Sequence, residues 1–304
     1  MRVVISGARG LIGQALVEYY AKKGDTVYAL SSSRGRSYEN PSVHYFQTSA
    51  PKESLISAIG SFPDLFFHCA WKGVSPDERI SFDVQSQNVQ LSLDLAQLAC
   101  LLQAKRFIFL GSVSENLFVP GGEKTNAYPY PTNAYSACKA AVRILLKTFF
   151  ESTKIEFLSC LISSVYSEKR IDNNLINYVI TSLLNDRVPK VTTLKQVWNF
   201  ISLDDVVYAL DSLATKGKAG ECYEIGGTEN LPLFEFVNIV RNIINKDARI
   251  GLGEIKQPFS ELPDGSVSLQ KITRDTGFLP RTEFSSEIRK VIARVREINE
   301  NEGK

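Results

Sequence analysis

The first thirteen residues constrain the fold more than any other stretch of the chain. Arg2-Val3-Val4-Ile5-Ser6 reads as a short apolar strand. Gly7-Ala8-Arg9-Gly10-Leu11-Ile12-Gly13 follows, opening an amphipathic helix that runs to about Lys23. A strand, three glycines and a helix together make a phosphate-binding turn. Gly7 permits the tight turn, Gly10 lets the backbone approach a pyrophosphate, and Gly13 lets the helix pack close to the sheet. The first helical turn offers N–H groups and the positive end of the helix dipole to an anion. The spacing, Gly-x-x-Gly-x-x-Gly, differs from the Gly-x-Gly-x-x-Gly usual in dehydrogenases. The turn is expected to hold a dinucleotide through Gly7, Arg9, Gly10, Leu11, Ile12 and Gly13.

Thr26 to Leu30 is the second strand. An enzyme that takes NAD commonly places an acid just beyond it, on the ribose hydroxyls. Here the chain reads Ser31-Ser32-Ser33-Arg34-Gly35-Arg36, with no acid. Ser31, Ser33, Arg34 and Arg36 suit a ribose 2′-phosphate, so NADP(H) is expected ahead of NAD(H). Val43 to Gln47 is a third strand, and Leu65 to Ala70 a fourth, apolar enough to be buried on both faces. A long helix over about 77–102 follows. Phe107 to Ser112 is a fifth strand ending in a hydroxyl. A helix over 133–150 begins at Thr132 or Asn133 as cap, and Ile155 to Leu161 is a sixth strand. Strands alternating with helices predict an α/β fold, a Rossmann-like doubly wound parallel sheet. Ligands then bind beyond the strand C-termini, where Gly7, Ser31, Ala70, Ser112 and Ser163 fall.

After about residue 165 the elements become short and mixed. The pattern predicts a helix over 172–185, a strand at 197–201, a helix capped by Asp204, a strand at 221–225 and a helix over 231–245. A last helix at 284–299 reads as charged and exposed. The expected division is a cofactor-binding domain at 1–165 and a smaller mixed lobe at 166–304. That lobe would close over the cofactor and supply the substrate cleft, with the chain crossing back to the sheet around 196–225.

Tyr135 and Lys139 stand four residues apart on helix 133–150, which places both on one face. A phenol ionises near pH 10 and is a poor acid-base group at neutral pH. An ammonium held close by stabilises its phenolate and lowers that pKa. Such a phenol can protonate a developing alkoxide or take a proton from an alcohol.

Composition narrows the setting. At 304 residues, with 44% apolar and 22% charged residues, the chain is an ordinary globular one with room for one large or two moderate domains. A net charge of +2 favours neither a nucleic-acid nor a membrane partner. No apolar run approaches the roughly 20 residues that span a bilayer, and an N-terminus that enters a strand directly predicts no signal peptide. Cys69, Cys100, Cys138, Cys160 and Cys222 lack metal or redox spacing and read as reduced thiols of a cytoplasmic protein. Two histidines cannot build a His-based zinc site, and no metal is expected.

With these residues in hand, the chain resembles the extended short-chain dehydrogenase/reductase family, especially its nucleotide-sugar members. Ser6 to Gly13 is similar to the family's Thr-Gly-x-x-Gly-x-x-Gly, and His68-Cys69-Ala70-Trp71 to a segment beside the cofactor. Leu110-Gly111-Ser112 resembles the strand that presents the catalytic Ser or Thr, and Tyr135 and Lys139 the Tyr-x-x-x-Lys. Trp198 to Val207 resembles the family's Arg-Asp-Phe-Ile-x-Val-x-Asp segment, and Gly220 to Gly226 resembles Gly-x-x-Tyr-Asn-Ile-Gly.

The resemblance implies a catalytic set of Ser112, Tyr135 and Lys139. Tyr135 would be the general acid. Lys139 would hold the nicotinamide ribose and lower the pKa of Tyr135, and Ser112 would fix the carbonyl oxygen. Cys69, Ala70, Trp71, Asn88 and Ser163 would join the cofactor site. Trp71, Ser112, Ser114, Ser164 and Trp198 would line the substrate cleft, and His68 would be a core or cofactor-edge residue. The family's dehydratases carry acids right after the catalytic hydroxyl, where this chain has Val113 and Ser114. The arginine that grips the sugar-nucleotide diphosphate corresponds to Trp198, and a second, expected near Leu262-Pro263, is absent.

The expected function is NADPH-dependent reduction of a keto-deoxysugar nucleotide, with a nucleotide-sugar epimerase as the alternative. A non-enzymatic NADP(H) sensor is a third reading. The partners implied are a nucleotide-linked sugar as substrate and a second copy of the chain, through helices 77–102 and 133–150.

Overall fold

The computed structural model describes residues 1–32, 38–119, 130–171, 173–256 and 264–302. In the first half, β1 (Arg2–Ser6), α1 (Leu11–Lys22), β2 (Thr26–Ser31), β3 (Val43–Gln47), α2 (Lys52–Ile59) and β4 (Leu65–His68) come in turn. They are followed by α3 (Pro76–Arg79), α4 (Phe82–Leu101), β5 (Arg106–Ser112), the small β6 (Phe118–Val119) and β7 (Tyr130–Pro131), α5 (Ala134–Glu151) and β8 (Glu156–Ile162). The second half runs β9 (Ser164–Tyr166), α6 (Leu175–Leu184), β10 (Lys190–Val191), β11 (Val197–Ser202), α7 (Leu203–Lys216) and β12 (Cys222–Ile225). It ends with β13 (Asn230–Pro232), α8 (Leu233–Ile244), β14 (Gly251–Leu252), α9 (Gln270–Thr276) and α10 (Phe284–Glu302).

Seven strands form one parallel sheet in the order β12-β8-β5-β4-β1-β2-β3. This is the doubly wound α/β sheet expected. The strand order reverses between β1 and β4, so the connections diverge there and leave a crevice above their C-terminal ends. Val3, Ile5, Phe67, Ile108 and Leu158 pack on the face covered by α1 and α7. Val4, Phe66, Phe107 and Phe109 pack on the other face, against Leu95 of α4 and Val142 and Leu146 of α5. Central strands are thus apolar on both sides, as a two-sided sheet requires.

A separate apolar cluster joins α6, α8 and α10 through Ile176, Val179, Phe236, Val240, Ile288 and Val291. Beside it β13, β11 and β9 make a small sheet. Asp205, buried at the start of α7, ties the two regions by accepting from the Arg281 N–H at 3.0 Å and the Thr282 N–H at 3.2 Å.

Three local expectations are corrected. The helix expected over 77–102 is two helices: Ser81 interrupts it and caps α4, accepting from the Val84 N–H. Ser202 caps α7, accepting from Asp205 N–H at 3.1 Å, so Asp204 lies inside the helix. The last helix is not simply exposed: Phe284, Ile288, Val291, Ile292 and Val295 form a buried stripe at helical spacing.

Candidate functional site

The glycine turn has the shape an anion needs. Gly7 adopts φ +69, and a Cβ there would stand 2.6 Å from the Ala70 backbone, so the turn presses against the segment after β4. A Cβ on Gly13 would stand 2.2 Å from the Gly7 carbonyl oxygen, which brings α1 tight onto the turn. Gly10 is the N-cap of α1, exposed, with no side-chain cap and no acid in the first turn. A Cβ on Gly10 would meet only the Gly7 carbonyl oxygen, at 3.2 Å, and among the described residues no side chain caps the first turn. At the end of β8, the Ser163 hydroxyl is buried without a hydrogen-bond partner among the described residues. An open helix terminus and an orphaned hydroxyl along one sheet edge fit a bound dinucleotide. Ser31 is buried at the end of β2. Ser33, Arg34 and Arg36 lie outside the described residues.

Ser112, Tyr135 and Lys139 converge at the end of β5. Asn133 caps α5 by accepting from Ser136 N–H at 3.0 Å, and the helix then presents Tyr135, Lys139 and Arg143 at successive turns. Tyr135 is 8% and Lys139 5% exposed. Burial raises the Tyr135 phenol, while the Arg79 charge and a hydrogen bond with Ser112 pull it down. Burial lowers the Lys139 ammonium to about 8. The Ser114 hydroxyl donates to Ser112 Oγ at 2.9 Å, which leaves the Ser112 hydrogen for the Tyr135 oxygen.

Lys139 occupies an aromatic seat. Its Nζ donates to the Leu110 carbonyl at 2.6 Å and stands 4.0 Å from the Trp71 ring centroid and 4.9 Å from that of Phe109. Trp71 also meets Tyr135 edge-on, with centroids 6.0 Å apart. The cation over Tyr135 is Arg79, its guanidinium carbon 4.8 Å from the ring centroid. The resemblance implies that Lys139 holds the nicotinamide ribose and lowers the pKa of Tyr135; in this structure its Nζ is turned to the Leu110 carbonyl, and Arg79 stands over the Tyr135 ring.

The segment after β4 is held from behind by α4. Asn88, 1% exposed, accepts from Lys72 N–H at 2.8 Å and donates to the Lys72 carbonyl at 2.9 Å. Its amide is spent on the main chain, so Asn88 supports the cleft from beneath and does not line it. His68 is buried between the Ser6 and Ser92 hydroxyls at 3.0 and 2.8 Å. Burial lowers its pKa to about 3, so it is neutral, a core residue. Burial pushes the Cys69 thiol up. Ser164 and Trp198 meet each other where β9 and β11 run together, Trp198 Nε1 donating to Ser164 Oγ at 2.9 Å. They form a second small cluster on the sheet of β13, β11 and β9.

A family model described as the NAD dependent epimerase/dehydratase family matches residues 3–226. The chain belongs to that family. Membership bears out the resemblance to nucleotide-sugar short-chain dehydrogenase/reductases drawn from the motifs. A dTDP-D-glucose 4,6-dehydratase of Dictyostelium discoideum is 32% identical over 118 residues, 38% of this chain and 26% of that protein. The chain spans about half the length of further curated relatives it matches, 52%, 51% and 48% of them. The fold is shared with a UDP-glucose 4-epimerase of Thermotoga maritima, TM-score 0.83 at 16% identity over 98% of this chain and 100% of that one. It is also shared with a dTDP-glucose 4,6-dehydratase of Streptomyces venezuelae, TM-score 0.83 at 20% identity over 98% and 97%.

Four further residues, Glu115, Arg143, Gln85 and Arg79, shape the site. Glu115, fully buried, accepts from Ser112 N–H at 2.8 Å and pairs with Arg143 at 2.7 Å. Burial nonetheless pushes its carboxyl up, against the opposing pull of Arg143, Lys139 and the Ser112 N–H. Ser112-x-x-Glu115 is a capping-box signature, and Arg143 continues the four-residue series from Tyr135, so both were legible. Gln85 and Arg79 carry no such signal. Among the described residues no helix is long and apolar enough to cross a membrane, and no cluster of His, Cys, Asp and Glu is placed to hold a metal ion.

Proposed function

We propose that the chain is an NADPH-dependent reductase of a ketone on a nucleotide-linked deoxysugar, with a 4-keto-6-deoxyhexose as the favoured substrate. One observation carries this reading against dehydration. The carboxylate that follows Ser112, Glu115, is buried against the Ser112 N–H and Arg143, and Val113 and Ser114 supply no acid. Removal of water from a sugar needs such a group, whereas reduction needs one proton donor and one oriented oxygen.

Gly7, Arg9, Gly10, Leu11, Ile12 and Gly13 would hold the pyrophosphate, with Cys69, Ala70, Trp71 and Ser163 along the nicotinamide half. When bound, the nicotinamide supplies the hydride. Tyr135 delivers its proton to the oxygen as negative charge develops there. Ser112, oriented by Ser114, hydrogen-bonds the same oxygen and fixes its position. Lys139 leaves the Leu110 carbonyl to hold the nicotinamide ribose. Ser31, Ser33, Arg34 and Arg36, with no acid among them, support the 2′-phosphate and hence NADPH. Ser164 and Trp198 would face the substrate from the C-terminal lobe. Phe82, Ile144 and Leu145 are exposed apolar residues on the adjoining helices α4 and α5, and they support a homodimer through those helices.

An epimerase is the second reading, favoured by the same acid-free Ser112, since redox-neutral inversion needs no more than Ser112, Tyr135 and Lys139. Purified protein offered 4-keto-6-deoxy nucleotide sugars should consume NADPH, faster than NADH, and should leave purification without tightly held cofactor. Retained NAD and interconversion of sugars without net NADPH loss would establish the epimerase instead.

A further inference from the structure

The described groups that face Tyr135 come from four directions. Ser112 stands at the end of β5, Glu115 in the 3-10 turn at 113–116, Trp71 after β4, and Arg79 at the end of α3. Lys139, on the same helix as Tyr135, has its Nζ drawn to the Leu110 carbonyl and the Trp71 face. Of the two cations, Arg79 is therefore the one laid over the phenol ring.

Its placement is built. Ser75 donates to Glu78 Oε2 from its hydroxyl at 2.6 Å and from its N–H at 3.4 Å, closing the turn that ends at Arg79. Buried Gln85 donates to the carbonyls of Gly73 at 2.6 Å and Glu78 at 3.0 Å, and accepts from Trp71 Nε1 at 2.8 Å. Arg79 Nε itself donates to the Val74 carbonyl at 2.9 Å. One amide on α4 thus fixes Trp71 and the Arg79 turn together.

We propose that Arg79 is a positioning residue whose guanidinium, held over the ring of Tyr135, biases that tyrosine toward giving up its proton. A cation at the face of an aromatic ring is attracted to it, and more strongly once the phenol becomes an anion. Arg79 favours the phenolate and Glu115 opposes it, while burial raises the group overall. Arg79 also lowers Lys139, so one exposed charge acts on both members of the Tyr/Lys pair. Because Arg79 is exposed, salt screens its effect.

The inference rests on Tyr135 as the acid of the proposed reductase, yet it can be read without turnover. Tyr135 is replaced by 3,5-difluorotyrosine, whose phenol ionises at lower pH, and its ¹⁹F resonances are titrated in the full-length protein. Arg79→Gln should move the midpoint up by about half a pH unit or more, a screened share of the shift that a close charge produces. Arg79→Lys should restore most of it, and added salt should shrink the gap between native and Arg79→Gln. A midpoint unmoved by Arg79→Gln, or moved as far by Arg79→Lys, overturns the proposal. Loss of activity in Tyr135→Phe is a separate measurement, so failure of the reductase reading and failure of the Arg79 coupling are told apart.

Discussion

At the scale of single residues, the site spends stability on chemistry. Lys139 ionises at about 8 in the folded chain against 10.5 when free, because burial disfavours its charge. Between those values the unfolded chain binds more protons, so the folded state gains stability as pH rises from about 8 to about 10.5. Below that window the cost is complete, on the order of 3 kcal/mol. Lys139→Met removes the buried charge. Its stability relative to the native chain should be greatest near pH 7 and should decline across that window. Denaturant unfolding at several pH values checks this, and a gap that does not change with pH contradicts it. Gly10 makes a different demand. Its φ of −73 is one any residue adopts, and a Cβ there would stand 3.2 Å from the Gly7 carbonyl oxygen, so Gly10→Val should fold with a small loss of stability. The added branch stands where a pyrophosphate would touch the backbone, and NADPH titration followed by fluorescence should show binding lost. Normal binding by that variant would remove the turn from the cofactor site.

At the scale of elements, helix α4 works as a bracket. Gln85 and Asn88, one turn apart and both buried, hold the segment 71–78 by its main chain and by Trp71. Gln85→Leu would leave the Gly73 and Glu78 carbonyls and the Trp71 indole without these partners. The expected cost is about 2 kcal/mol, with a change in Trp71 fluorescence in a Trp198→Phe background. Unchanged denaturant stability would show that the bracket carries no load. What the sequence made legible follows the same division. Periodicity and glycine spacing announced the strands, α1 and the Tyr135/Lys139 face, because each rests on contacts local in sequence. The bracket rests on side-chain amides meeting carbonyls up to 16 residues away, and no local pattern records such a bond. The same reason hid Arg79. The break before α4 was missed because Ser81 lies inside a run that otherwise reads as helix, and the burial of α10 because its apolar stripe is narrow among many charges.

At the scale of the whole molecule, two apolar bodies meet along a seam. One is the seven-stranded sheet with its helices, the other the α6, α8 and α10 cluster, and Asp205 stitches them through the N–H groups of residues 281 and 282. Outward, Ile144 is 60% and Phe82 69% exposed on α5 and α4. If those helices form the contact between two copies, Ile144→Glu should sediment as a monomer where the native chain sediments as a dimer. A native monomer would end that reading. The proposed function has Tyr135 deliver the proton in a hydride-transfer reaction at the C-terminal edge of the sheet, beside Ser112. It is tested most directly by single-turnover reduction of a 4-keto-6-deoxy nucleotide sugar, comparing Tyr135→Phe with the native chain where product release cannot mask the step. The account predicts near-normal NADPH binding and hydride transfer slower by roughly 100-fold or more, the usual contribution of a general acid. Hydride transfer by Tyr135→Phe at the native rate would contradict it.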